Sequence, residues 1–125
     1  MITQYRNDQA VSITDREKTL IDACDRPDVS GGIALTYRAL RTCLEQLEWD
    51  RLDDYLARFG SSAVYKRLGY LIDVGHLPVP AREKRLESWR AQLKPGISSL
   101  EPGAGLVGRI NSRWRLRLNV GEFRP

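Results

Sequence analysis

Apolar residues in the middle of this chain recur at helical spacing, and those near its end recur at strand spacing. Ile33, Tyr37, Leu40, Leu44 and Leu47 follow one another at steps of three and four and mark one face of a helix. Four more helices are read the same way. The first runs over about residues 14–25 with Leu20, Ile21 and Cys24 inward. Thr14 and Glu17 stand at capping-box spacing, in which the hydroxyl accepts from the third amide and the carboxylate reaches back. Pro27 stops this helix. Asp50 can cap a third that places Leu52, Tyr55, Leu56 and Phe59 inward and ends at Gly60. A fourth, residues 63–74, opens at Ser61 or Ser62 and carries Val64, Leu68, Leu71 and Ile72, and Gly75 closes it. After a linker with Pro78 and Pro80, a fifth over residues 81–93 packs Leu86, Trp89 and Leu93.

Strand patterns lie at both ends. Residues 2–6 and 11–13, separated by Asn7-Asp8, fit an opening hairpin. Beyond Lys94-Pro95-Gly96 the period becomes two, with a short strand at 97–100, a Gly/Pro loop at 101–108 and a longer strand at 109–120. The expected fold is therefore α+β: a helical middle of about five helices with a small, mainly antiparallel sheet formed by the N-terminal and C-terminal strands.

A length of 125 residues fits one domain, and 42% hydrophobic with 29% charged residues is ordinary globular composition. No run approaches the roughly 18 apolar residues of a membrane span, and the first residues lack the apolar stretch of a signal peptide, so a cytoplasmic, membrane-free protein is expected. Cys24 and Cys43 have neither metal nor redox spacing and read as reduced thiols of the core.

Charge changes the picture more. The total is +4, but residues 1–75 carry ten Lys or Arg against twelve Asp or Glu, whereas residues 76–125 carry ten against four. In a single strand, the alternation Arg113-Trp114-Arg115-Leu116-Arg117-Leu118-Asn119 would turn Trp114, Leu116 and Leu118 to the core and Arg113, Arg115, Arg117 and Asn119 outward. Arginines would then repeat at roughly 7 Å along one face. Two readings stay open for that face: ordinary solvated surface, or a contact surface for an anionic partner made by Arg113, Arg115 and Arg117 with help from Arg109, Lys84 and Arg85.

Catalytic motifs fail on context. Gly103, Gly105 and Gly108 spell G-x-G-x-x-G, but a loop leading into a strand offers no helix N-terminus for a pyrophosphate. Gly60-Ser61-Ser62 precedes a helix as in nucleotidyltransferases, yet no alternating pair of aspartates follows, since Asp73 stands alone and Asp53-Asp54 are adjacent and upstream. His76, the sole histidine, sits in a Gly/Pro linker without triad or zinc spacing. No catalytic role, metal or cofactor is expected.

In order along the chain, Thr14-x-x-Glu17-x-Thr19-Leu20-Ile21-Asp22, Arg26-Pro27 with Gly31-Gly32-Ile33, Arg67-Leu68-Gly69-Tyr70-Leu71, Leu100-x-Pro102 and Arg113-Trp114-x-Leu116 with Asn119 are found. Together, over about residues 11–120, they resemble the C-terminal domain of AbiEi-type antitoxins of bacterial abortive-infection (type IV toxin-antitoxin) systems. The resemblance implies a domain that counteracts a nucleotidyltransferase-type toxin, or that toxin's effect on its target, by binding rather than catalysis, with no stable complex required. Family members usually carry an N-terminal winged helix that binds operator DNA. The match starts at Thr14, which leaves no room for one, so that domain is expected to be absent and operator repression is not expected of this chain alone. The rival readings are a nucleic-acid-binding accessory domain of a transcriptional regulator, with weak DNA or RNA binding, and a small enzyme. Among the matched residues, Gly31 and Gly32 read as a positive-φ turn and Gly69 as a site of close helix packing. Asp22 and Arg67 would be reconciled with neighbouring apolar stripes by a buried ion pair.

Overall fold

The computed structural model describes residues 15–120; the expected hairpin at 2–6 and 11–13, and Thr14 itself, lie outside them. Helix α1 (Arg16–Asp25) starts at Asp15, whose carboxylate accepts from the N–H groups of Glu17 at 3.1 Å and Lys18 at 3.3 Å. The capping box expected with Thr14 rests on a residue outside the described ones; within them Glu17 serves another helix. Its carboxylate, only 3% exposed, accepts from the backbone N–H of Glu48 at 2.8 Å, the residue that opens α3. Asp15 already serves the first turn of α1, which leaves Glu17 to serve a helix start that has no capping side chain.

A 3-10 turn (Pro27–Val29) then leads into Gly31 and Gly32, at φ +98° and +101°, and α2 (Ile33–Cys43) follows. Glycine at the N-cap allows the sharp entry but supplies no cap. The missing acceptor comes from Glu101, whose carboxylate takes the Ile33 N–H at 2.7 Å. A second 3-10 turn (Leu44–Gln46) connects to α3 (Trp49–Phe59), which buries Trp49, Leu52 and Leu56 and ends on Gly60 in the left-handed region. Phe59, expected inward, is 45% exposed because the helix's buried face lies over Leu52 and Leu56. Ser61 caps α4 (Ser62–Val74) by accepting from Val64 N–H, and α5 (Arg82–Arg90) buries Leu86 and Trp89.

Helix α4 is the centre of the molecule. Every residue from Val64 to Ile72 is buried, so this helix has no solvent face over more than two turns, and α1 and α5 both pack against it. Two of those residues are cationic, and both are satisfied by carbonyls or a hydroxyl. Lys66 Nζ donates to Gly96 O at 3.1 Å and Ser98 Oγ at 3.0 Å. Arg67 donates to Cys24 O and Asp25 O at the end of α1 and to Ser99 O, at 2.9, 3.1 and 3.0 Å. The expected Asp22–Arg67 ion pair is not formed, since Asp22 faces solvent while the guanidinium fork serves the orphan carbonyls of a helix end. Cys24 lies in the core with its thiol pushed up to about 12 by burial; Cys43 is half-buried.

The α+β class is as expected. The sheet among the described residues comes from the C-terminal segments: β1 (Ser98–Ser99), β2 (Ile110–Asn111) and β3 (Leu116–Arg117), in the order β1-β3-β2. It is mixed, with β1 parallel and β2 antiparallel to β3.

The long strand expected at 109–120 is therefore a tight hairpin. Residues 112–115 turn, Arg115 takes φ +54°, and the Asn111 amide oxygen accepts from Trp114 N–H at 2.9 Å to hold the bend. Trp114 and Leu116 are fully buried, as the alternation predicted, while Leu118 is half-buried. Asn119, expected on the arginine side, is buried instead: its amide receives from Glu101 N–H at 3.0 Å and donates to Glu101 O and Gly105 O at 2.9 and 2.8 Å. The Gly103–Gly108 stretch is the expected loop, and Gly108 lies against the Leu118 carbonyl, where a Cβ would collide.

Candidate functional site

Because the hairpin bends at 112–115, Arg113, Arg115 and Arg117 do not share one pleated face, and the expected arginine row is replaced by three separate placements. Arg115 is half-buried and donates to Leu93 O at 3.3 Å; Arg117 is half-buried and donates to Gly108 O at 3.3 Å. Arg85 is taken up by the fold. It is paired with Asp53, donates to Trp49 O and Pro80 O, and lies over the Trp49 ring at 5.4 Å, with its side chain 10% exposed. Lys84 is exposed on α5. The remaining two, Arg109 and Arg113, converge.

They meet in a cleft of about 520 Å³ between the C-terminal end of α4 and the hairpin, with Tyr70 and His76 on the helix side and Arg109, Ser112, Arg113 and Leu118 on the other. The helix side is placed by sequence spacing alone: Tyr70, Asp73 and Val74 lie at i, i+3 and i+4 on one face of α4. The hairpin side is placed by Trp114. Its ring lies against Gly69, where no Cβ intervenes, and its indole N–H donates to Asp73 Oδ2 at 2.9 Å. Gly69 thus permits close packing, as read from the sequence, though against a tryptophan ring of the hairpin.

Asp73 joins the two sides of the cleft. Besides Trp114 it receives Arg113 Nε at 2.7 Å on the same oxygen, and Arg82 approaches its other oxygen at 3.4 Å. Burial pushes this carboxyl up, but bonds from Trp114 and Arg113 and the charges of Arg113 and Arg82 outweigh it, holding its pKa below the ordinary 3.8. One carboxylate therefore faces two arginines here, and Arg109 adds a further positive charge. Arg109 is exposed, and its guanidinium makes no hydrogen bond or ion pair among the described residues. It opposes the rise that burial imposes on the Tyr70 phenol.

Arg109 and Arg113 were legible as candidates; Tyr70, Asp73 and His76 were not. The available signal was Asp73 itself, an acid at the end of a helix whose preceding turns are entirely apolar or internally bonded, which demands a cationic partner from elsewhere. His76 adopts φ +51° at the cleft's edge, an uncommon conformation for a residue with a side chain. Among the described residues no group of three His, Cys, Asp or Glu side chains is placed to hold a metal ion, and no helix is long and apolar enough to cross a membrane. Comparison with family models, with curated proteins and with solved structures finds no match.

Proposed function

We propose that this chain is an antitoxin domain of the AbiEi C-terminal type, acting in the cytoplasm by binding rather than catalysis to counteract a nucleotidyltransferase-type toxin or its effect. One observation supports the reading above others: the segments that carry the resemblance, scattered along the sequence, meet in space, through bonds from Arg67, Ile33 and Asn119 to residues beside or between the motif positions and through the approach of Gly69 to Trp114. Arg67 ties the end of α1, just before Arg26-Pro27, to β1. The Ile33 amide after Gly31-Gly32 is held by Glu101, between Leu100 and Pro102, and Glu101 is itself held by Asn119. Gly69 receives Trp114. The resemblance is thus carried by segments that meet around α4 and the C-terminal sheet.

The test is co-expression with a nucleotidyltransferase-type toxin from a neighbouring gene. Growth restored above an empty-vector control is the expected result, and no restoration sinks the antitoxin reading. The rival reading, a nucleic-acid-binding accessory domain, draws on the C-terminal charge surplus. It loses part of its footing with the arginine row, because Arg85, Arg115 and Arg117 spend donors inside the fold.

A further inference from the structure

We infer that the cleft between α4 and the hairpin is a binding site for a nucleoside monophosphate, with Arg109 and Arg113 receiving the phosphate and the Tyr70, Val74 and Leu118 side receiving the base. This stands on the cleft's own geometry and holds whether or not the domain is an antitoxin.

The cations come first. Arg113 commits only its Nε to Asp73, so its two terminal nitrogens make no bond among the described residues, and its side chain is 44% exposed. Asp73 fixes that guanidinium in place beside Trp114, whose ring lies 5.8 Å from it. A guanidinium anchored at one edge and open at the other presents its remaining donors in a fixed fork, the arrangement that suits phosphate oxygens. Arg109 is exposed on the same wall with its donors unspent, and the Ser112 hydroxyl lies between the two arginines in sequence. Asp73 does not cancel this charge, because Arg113 and Arg82 already share its carboxylate.

The rest of the lining supplies what a bare phosphate does not need. Val74, Ile110 and Leu118 give an apolar patch, and Tyr70 and His76 add flat rings. A volume of about 520 Å³ falls within the range of small-molecule sites. An apolar, aromatic patch beside two arginines matches a base and its phosphate better than a sugar phosphate or a simple anion, which would leave the patch unused.

The experiment titrates the whole chain with AMP, GMP, CMP and UMP, and separately with adenosine and inorganic phosphate, following heat and the indole N–H resonance of Trp114. At least one nucleotide should saturate the site, bind about tenfold or more tightly than adenosine or inorganic phosphate, and move that resonance through Asp73. Arg109→Gln, which breaks no hydrogen bond or ion pair among the described residues, should weaken it about tenfold, equivalent to about 1.4 kcal/mol. Arg117→Gln, outside the cleft, should bind as the parent does. The proposal is overturned if no nucleotide saturates at millimolar concentration, if inorganic phosphate binds as tightly as every nucleotide, or if Arg109→Gln is indistinguishable from the parent. None of these outcomes depends on toxin rescue, so the two proposals fail separately.

Discussion

Gly69→Ala isolates the contact that docks the hairpin on α4. On helical preference alone, alanine at an interior helix position is favoured over glycine by about 1 kcal/mol. The structure reverses the sign. A Cβ at this position would lie 2.7 Å from Trp114 Cε3 and closer still to Cζ3 and Cη2. The ring cannot tilt away freely, because the Trp114 amide is held by Asn111 and its indole N–H by Asp73, each at 2.9 Å. Forcing extra volume into a filled core costs about 1–3 kcal/mol. Losing an indole bond to a charged acceptor adds about 1.5–3 kcal/mol. After the gain in helical preference, a net loss of about 1.5–5 kcal/mol is expected, a large share of the roughly 5–15 kcal/mol that holds a domain folded. Urea unfolding followed by far-ultraviolet circular dichroism measures it. Repeating the substitution in a Trp114→Phe background removes the outer ring, and there Gly69→Ala should become neutral or stabilising, giving a coupling of at least about 1 kcal/mol. Equal or higher stability of Gly69→Ala beside an intact Trp114 would refute the reasoning.

Two further outcomes follow from charges that the fold bonds internally. Asp73 has its pKa lowered in the folded state, so its contribution is fully present above the ordinary carboxylate value of 3.8 and is lost as pH falls through the folded value. The stability gap between the parent and Asp73→Asn should therefore be widest near neutrality and close below about pH 4; a gap that persists unchanged into strong acid contradicts it. Arg67→Met keeps the stem but strips one buried and two part-buried carbonyls of their donor, and thermal or urea unfolding should show a loss of about 2–4 kcal/mol. A change under about 1 kcal/mol would mean that water replaces the guanidinium there.

The helices were readable because their signals are local: Ser61 before α4, Gly60 after α3 and the apolar spacing of α2 each lie within a turn of what they determine. The hairpin looks like one strand in the sequence because the alternation at Trp114 and Leu116 satisfies a period of two that a bend also satisfies. Asn111-Ser112 is the turn signal, masked in the pattern by the alternating residues after it. Of the cleft, Arg109 and Arg113 were visible as cations. Asp73 stands as a lone acid in the sequence because Arg113 and Trp114, which bond to it, are about 40 residues further on, and sequence spacing carries no information about such a meeting.

Among the described residues, two helix starts borrow their caps. The first turn of α3 depends on Glu17 from α1, and that of α2 on Glu101 from the loop before the hairpin. A helix that supplies its own cap can form in isolation and fray in isolation; a helix capped from a distance gains its full first turn only once the donor of the carboxylate has docked. Glu101 is in turn fixed by Asn119, so α2 is completed by residues near the end of the described chain. The first turns of α2 and α3 therefore depend on residues far along the chain, and a fragment that holds α2 without Glu101, or α3 without Glu17, lacks the carboxylate that completes that turn.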